Sequence, residues 1–367
     1  MQKRSGKATT SAIALVVALL ALGVAAYAVY RRDIASNYEG AAEQNQMYQR
    51  MTGLDGQKAT NSLDPRYADA DSDLVADAPT DPAKQVDPPT LTFSYITVED
   101  DQEFRTAFKG LTDAISKATG KPVEFVGFES VEAQLHAMRD GKLHITGLAT
   151  GAVPIGVCTA GFVPVCQLGD TKGSAGYHMQ IITPASSDLT KLADLKGNTL
   201  TLTEPNSNSG YKAPLVALSE VGLKPPTDYQ ITYSQGHTQS IEGIKAKRFQ
   251  AAAVAGDVLT REKNLGHIAD SDFKTIYTST DTFPGAAIGY GSTLKPDLAA
   301  KIKAAVMAYD FKGTPLEKEF AAEGKTQFVP ANYKNDWSFV RRIDESVHFQ
   351  YVLKAAPTSQ PATQAAE

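Results

Sequence analysis

The chain has 367 residues, 42% hydrophobic and 21% charged, a composition that buries one large core or two ordinary ones. Its net charge of −5, with no Lys/Arg run beyond the first residues, leaves no concentrated basic surface for a nucleic-acid backbone. Two cysteines build neither a disulfide scaffold nor a four-cysteine zinc site.

Lys3, Arg4 and Lys7 precede an uncharged run from Ala8 to Tyr30, which Arg31 and Arg32 close. Charge followed by an apolar stretch is an export signal. Ala26-Tyr27-Ala28 offers a small-x-small site for cleavage after Ala28. The run also approaches the roughly 20 residues that cross a bilayer, and Tyr27, Tyr30 and the arginines suit an interfacial ending, so an uncleaved membrane anchor over residues 8–30 is the other reading. No cysteine follows to carry a lipid. Both readings place the body outside the cytoplasm.

Residues 31–90 carry eleven Asp/Glu and six Lys/Arg, with few large apolar side chains and prolines at 65, 79, 82, 88 and 89. That composition predicts a disordered acidic linker, and residues 354–367 a disordered tail. Between them the pattern turns periodic. Leu91 to Thr97 alternates as a strand does, and Phe104, Phe108, Leu111, Ile115 and Ala118 recur at helical spacing until Gly120 and Pro122. Val123–Val126 predicts a strand, Val131–Arg139 a helix and Leu143–Thr146 a third strand, a β-α-β-α-β run that implies a mostly parallel sheet. A second such unit follows. It takes strand 199–203, helix 211–221 closed by Gly222, strand 231–233, helix 240–247 and the apolar strand 251–254. Helices over about 296–309 and 332–353, with apolar Ile302, Val306, Trp337, Val340 and Val347, return to cover the first sheet.

Glu204-Pro205-Asn206-Ser207-Asn208-Ser209-Gly210 sits between a strand and a helix. A helix start carries unpaired N–H groups and a partial positive charge, which suits an anion. Ser207, Asn208 and Ser209 add neutral donors, and Gly210 permits close backbone approach; simple capping of the helix is the alternative. His237 follows Ser234-Gln235-Gly236 after a strand, where ligand loops sit in α/β folds. His136, His144, His178, His267 and His348 lack metal-ligand spacing, so no metal or cofactor is expected. No P-loop, dinucleotide fingerprint or nucleophile elbow is present, which argues against an enzyme.

From about Leu91 to Leu353 the chain resembles the phosphonate/phosphite/phosphate-binding proteins of ABC importers. The resemblance rests on an ordered set: Thr150-Gly151-Ala152-Val153, Gly176-Tyr177-His178, Asp194-Leu195-Lys196-Gly197, Glu204 to Gly210, Ser234 to His237 and Ala251 to Leu259. It implies an α/β two-lobed clamp with a hinge and a ligand cleft between lobes. Lobe 1 would comprise residues 91–183 and 284–353, and lobe 2 residues 184–283. It implies that Ser207, Asn208, Ser209 and His237 bind phosphoryl oxygens, although Asn208 stands where the family usually has Thr. Thr150, Gly151 and Tyr177 would line the cleft, and Asp257 would face an ammonium group were one present. Phe283-Pro284-Gly285-Ala286 lacks an acid found in some relatives, which favours a compact ligand: phosphate, phosphite or a short alkylphosphonate. The implied partners are that oxyanion and the importer permease. A membrane-tethered ligand sensor is the second reading, and a phosphoester-processing enzyme the third. Cys158 and Cys166, close in sequence and in an oxidising compartment, are expected to form a local disulfide.

Overall fold

The computed structural model describes residues 61–96, 101–173 and 176–353. The first lobe begins with β1 (Leu91–Tyr95), α1 (Asp101–Ala107), α2 (Lys109–Thr119), β2 (Val123–Phe125), α3 (Val131–Arg139), β3 (Ile145–Leu148), α4 (Val153–Ala160) and β4 (Phe162–Gly169). The second holds β5 (Met179–Pro184), β6 (Thr199–Leu202), α5 (Ala213–Glu220), β7 (Gln230–Tyr233), α6 (His237–Lys245), β8 (Ala251–Ala255), α7 (Gly256–Asn264) and β9 (Phe273–Thr278). The chain then returns through β10 (Ala287–Gly291), α8 (Pro296–Met307), α9 (Pro315–Phe320), β11 (Gln327–Pro330), α10 (Tyr333–Asp336) and α11 (Ser338–Ser346).

The six-stranded sheet runs β11-β4-β10-β3-β1-β2 and the five-stranded sheet β7-β6-β8-β5-β9. In each, three neighbouring strands are parallel (β2-β1-β3 and β7-β6-β8), and the remaining strands join antiparallel. The parallel strands are those whose apolar runs the sequence exposes, and helices cover both faces of each sheet, as parallel strands require. Leu91, Phe93 and Tyr95 of β1 face a cluster with α1, α2 and α8. In β8, Ala251 and Ala253 enter the large inter-helix core, whereas Ala252 and Val254 meet Ile241, Ile244 and Leu259 of α6 and α7. That is the period-two alternation of a strand buried on both sides.

Two segments cross between lobes and pair with each other. Tyr177 and Phe283 exchange backbone hydrogen bonds of 2.9 and 2.8 Å. Because β5 already pairs with β8 and β9, the chain has entered the second sheet by Met179, ahead of the expected boundary at residue 184. The long C-terminal helix expected over 332–353 is two short helices followed by an irregular segment, Val347–Leu353.

Two further expectations are corrected. Residues 61–90 are not a disordered linker but a strap on the first lobe. The Asp64 amide donates to the Cys158 carbonyl at 2.8 Å, and the Val86 amide to the Thr293 carbonyl at 2.7 Å. Asp87 pairs with Lys121 at 2.9 Å and Lys295 at 2.8 Å. Composition averages over the segment, whereas this strap is fastened at a few points: backbone hydrogen bonds, the Asp87 ion pairs, and Leu63, Val75 and Val86 packed against the cores. Residues 31–60 and 354–367 lie outside the described residues. So does the apolar run 8–30, and no helix among the described residues is long and apolar enough to cross a membrane.

Cys158 and Cys166 form no disulfide. Cys158 of α4 packs into the core shared with α5 and α11, whereas Cys166 of β4 packs into the cluster with α1, α2 and α8. The sheet separates the two thiols. Burial pushes the Cys158 thiol up to about 12 and raises Cys166 as well, so neither ionises readily. Thiol titration of unfolded, unreduced protein should therefore find both thiols free, and the native chain should react far more slowly. Absence of reactive thiol in the unfolded chain would show a disulfide after all.

Candidate functional site

The local fold of residues 203–214 follows from one missing hydrogen. Pro214, in the first turn of α5, has no N–H to give the Gly210 carbonyl, the bond a regular α-helix would make. That carbonyl instead accepts the Thr203 amide at 3.0 Å, tying the turn back to the end of β6. The turn Asn208–Lys212 widens, so Lys212 donates to the Ser207 carbonyl at 3.2 Å and Ala213 to that of Asn208. Such wide turns recur where a helix start is reshaped for function. Ser207 caps it, its hydroxyl oxygen accepting the Gly210 amide at 3.1 Å. A methyl group on Gly210 would lie 2.0 Å from Thr203 Oγ1 and 2.9 Å from His237 Cε1, so no side chain fits there.

The turn lines an interlobe cavity of about 1430 Å³ together with Thr150, Gly151, Tyr177 and His237. Asn208 is 2% exposed, yet among the described residues neither atom of its amide has a hydrogen-bond partner, and the buried Thr203 hydroxyl has none. Buried polar atoms ordinarily find partners, so this corner of the cavity is chemically incomplete.

His237 opens α6 beside this corner. The Ala255 amide donates to its Nδ1 at 3.2 Å, which fixes Nδ1 as the acceptor and puts the proton on Nε2. Nε2 lies 3.5 Å from Ser207 Oγ. Burial, helped by Arg261, lowers the imidazole to about 4, so it is a neutral N–H donor at pH 7. Ser207, Asn208, Thr203 and His237 thus line one corner of the cavity with uncharged polar groups.

Ser209 is arranged differently. Its hydroxyl donates to Tyr177 Oη at 3.4 Å, Tyr177 donates to Thr150 Oγ1 at 3.2 Å, and Thr150 donates to the Pro284 carbonyl at 2.7 Å. This relay runs from the second lobe through the crossing strand to the first. Gly151 closes the contact between lobes, because a Cβ there would stand 2.1 Å from the Asn206 carbonyl oxygen. Asp257, in the first turn of α7, also lines the cavity. Burial raises its carboxyl and Lys325 opposes the rise.

The structure therefore brings together Ser207, Asn208, His237, Thr150, Gly151, Tyr177 and Asp257, and turns Ser209 toward Tyr177. Sequence reasoning missed Thr203 and Gln235, the latter held at φ 74° on the cavity wall. Thr203 had a readable signal: a hydroxyl at the C-terminal end of a parallel strand, where α/β ligands gather. Of the other histidines, His144 Nδ1 accepts the Thr92 amide at 3.0 Å, His178 Nδ1 lies 2.9 Å from the Ser279 carbonyl and His136 contacts Arg139, while His267 also lines the cavity, its Nδ1 2.7 Å from Glu262.

Comparison with known proteins gives this arrangement its family. The sequence model of the family described as "ABC transporter, phosphonate, periplasmic substrate-binding protein" matches residues 93–337. The chain is 25% identical over 261 residues to the phosphate-import protein PhnD of Mycolicibacterium smegmatis, covering 68% of this chain and 80% of that one. A binding-protein component of an ABC phosphonate transporter from Pseudomonas aeruginosa superposes with a TM-score of 0.60 at 19% identity, over 70% of this chain and 86% of its own. PhnD1 from Prochlorococcus marinus, solved with methylphosphonate, gives 0.62 at 15% identity, over 72% and 100%. These structures share the two-lobed fold. With the family match spanning most of both lobes, the chain belongs to the phosphonate-type periplasmic substrate-binding proteins of ABC transporters.

Proposed function

We propose that the interlobe cleft captures one tetrahedral phosphorus oxyanion (phosphate, phosphite or a short alkylphosphonate) and presents it to an importer permease. The observation that carries this reading is the buried, unpartnered Asn208 amide and Thr203 hydroxyl beside the neutral His237 Nε2–H and the Ser207 hydroxyl. The unprotonated oxygens of such an anion accept from Asn208 Nδ2–H, the Thr203 and Ser207 hydroxyls and His237 Nε2–H, and a P–OH, where the anion carries one, donates to Asn208 Oδ1. Hydrogen bonds from neutral donors to a desolvated anion are strong, so no cation need touch it. Membership of a family of binding components sets aside the phosphoester-processing enzyme. Two chain crossings supply the hinge on which such lobes close over a ligand.

Calorimetric titration with phosphate, phosphite and methylphosphonate tests the reading. Ser207→Ala, Asn208→Ala and His237→Ala each remove one donor and should cost about 1.5–3 kcal/mol, roughly 10- to 150-fold in affinity. Ser209→Ala should cost less, since it acts through Tyr177. Asp257→Ala should weaken an aminoalkylphosphonate more than phosphate, because only the former offers an ammonium partner. Wild-type protein that binds none of these anions, or Ser207 and His237 variants that bind as wild type, would sink the proposal.

Gly151→Ala probes closure separately. The added methyl meets backbone, not a movable side chain, so the lobes must part by about an ångström or the loop must distort, at about 1–3 kcal/mol. Affinity should fall by about tenfold or more with the donor set intact. Unchanged affinity would show that this contact does not limit closure.

His237 also makes stability pH-dependent in a definite direction. Its imidazole titrates near 6.5 when unfolded and near 4 when folded. Between those values the unfolded chain takes up a proton that the folded chain refuses, so stability falls as pH drops from about 6.5 toward 4. His237→Gln should flatten the fall in denaturation midpoint over that window. An identical slope in the variant would assign the acid sensitivity to other groups.

A further inference from the structure

Beneath the binding turn lies an ion pair that ligand capture does not use directly. Lys212 Nζ and Asp344 Oδ1 are 2.7 Å apart, and both side chains are 0% exposed. Lys212 is the last residue of the widened turn, and Asp344 sits near the C-terminal end of α11. Tyr351 donates its hydroxyl to Asp344 Oδ2 at 2.8 Å, and the Phe349 ring covers the ammonium at 4.3 Å. Charges removed from water this completely persist only when paired and enclosed.

The other end of α11 reaches the opposite wall. The chain's one tryptophan, Trp337, directly precedes α11, and its indole N–H donates to the Thr150 carbonyl at 3.0 Å. Trp337 is 0% exposed, and Thr150 carries the relay hydroxyl of the first lobe. From Trp337 to Asp344 is seven residues, about 10 Å along a helix at about 1.5 Å per residue. One short helix therefore holds the Thr150 loop at its start and the Ser207–Lys212 turn at its end.

We propose that α11 is a spacer setting the register of the two halves of the oxyanion site when the lobes are closed, with Lys212, Asp344 and Trp337 as positioning residues that never touch the ligand. The affinity part of this proposal rests on the function proposed above; the structural part does not. The Lys212 charge is neutralised where it stands, so its contribution is to hold the register of the turn that aims the Asn208 amide and the Thr203 hydroxyl at the cavity. Val347–Tyr351, which closes over the pair, belongs to the same device.

The test compares full-length wild type with Asp344→Asn, Lys212→Met, the double variant Lys212→Met/Asp344→Leu, and Trp337→Phe. Hydrogen exchange on ligand-free protein is read at the amides of Thr203, Gly210, Lys212 and Ala213, and at the Thr150 loop. Affinity is titrated with inorganic phosphate and methylphosphonate, and thermal midpoints are recorded. Each single change at the pair strands a buried charge or dipole and lowers the midpoint, whereas the double variant removes both charges and recovers most of the loss, the Tyr351 hydroxyl alone being left without its acceptor. The expected result is faster exchange in the turn in all three pair variants, with affinity at least about tenfold weaker even where the midpoint recovers. Trp337→Phe keeps a ring but deletes the indole bond, and should loosen the Thr150 loop and weaken affinity from the other end. Wild-type affinity in the double variant reduces the pair to structural support and overturns the proposal. Unchanged turn exchange in the pair variants overturns it whether or not any ligand binds, and an effect confined to one end overturns the spacer. Should wild type bind neither probe, the proposed function fails and the exchange measurements alone decide the spacer.

Discussion

The amide that Pro214 lacks governs more of this molecule than any single contact. Without it the first turn of α5 has no standard α-helical partner for the Gly210 carbonyl, and the Thr203 amide takes that carbonyl instead. The chain between them must then bow outward, which gives the wide turn Asn208–Lys212. Three consequences follow from that geometry. Asn208 is carried inward with its amide unpaired, Ser209 reaches the crossing strand at Tyr177, and Lys212 is driven to the far side of the turn, where only a buried carboxylate can receive it. A regular helix start would have placed these side chains at other angles and left the cavity wall without its donors.

The sequence was legible where structure is local. The strands and helices of the two parallel units announce themselves because each strand is a short apolar run and each helix recurs at three or four residues, with Gly120 (φ 72°) and Gly222 (φ 82°) at their ends. The crossing and antiparallel strands were not legible. In β4, β5, β9 and β10 the register is set by partners far away in sequence, such as Ile181 against Ala253 and Ile288 against Cys166. Nothing within the strands specifies that pairing. The cysteines failed for the same reason. Their closeness in sequence implied a bridge, but a sheet stands between them. The strap of residues 61–90 failed differently, since composition averages over the segment and this one is fastened at scattered points: the Asp64 and Val86 amides, the Asp87 carboxylate, and the side chains of Leu63, Val75 and Val86.

Within the site, Ser207, Asn208 and His237 could be found because strand-to-helix junctions are where backbone donors collect. Their protonation and partners could not. That His237 is a neutral Nε2–H donor depends on the Ala255 amide occupying Nδ1, a contact between two loops. Ser209 looked equivalent to Ser207 in sequence and is not, because the widened turn points it at Tyr177. The resemblance placed Thr150 and Gly151 in the cleft, but the close approach of Asn206 from the other lobe to Gly151 is a contact only the fold reveals.

Two cations close to the cavity, Lys212 and Arg261, are paired, and this bears on how the cleft works. Lys212 is held by Asp344, and Arg261 lies 3.3 Å from Glu323 and 3.5 Å from Glu262. A free cation in a dry cleft would grip an anion strongly, but it would be costly to bury in the empty, closed state and would accept many anions on charge alone. Neutral donors avoid both problems. They cost less to desolvate when the site is empty, and their directions demand acceptors at fixed positions, which on the function proposed above would select a tetrahedral oxyanion by shape. Selectivity of that kind fails if the donors drift by a fraction of an ångström, since hydrogen bonds weaken steeply with angle. The rigidity must therefore come from outside the donor set, and here it comes from bonds that never meet the ligand: the Thr203–Gly210 tie, the Ala255–His237 contact and the relay from Ser209 through Tyr177 to Thr150.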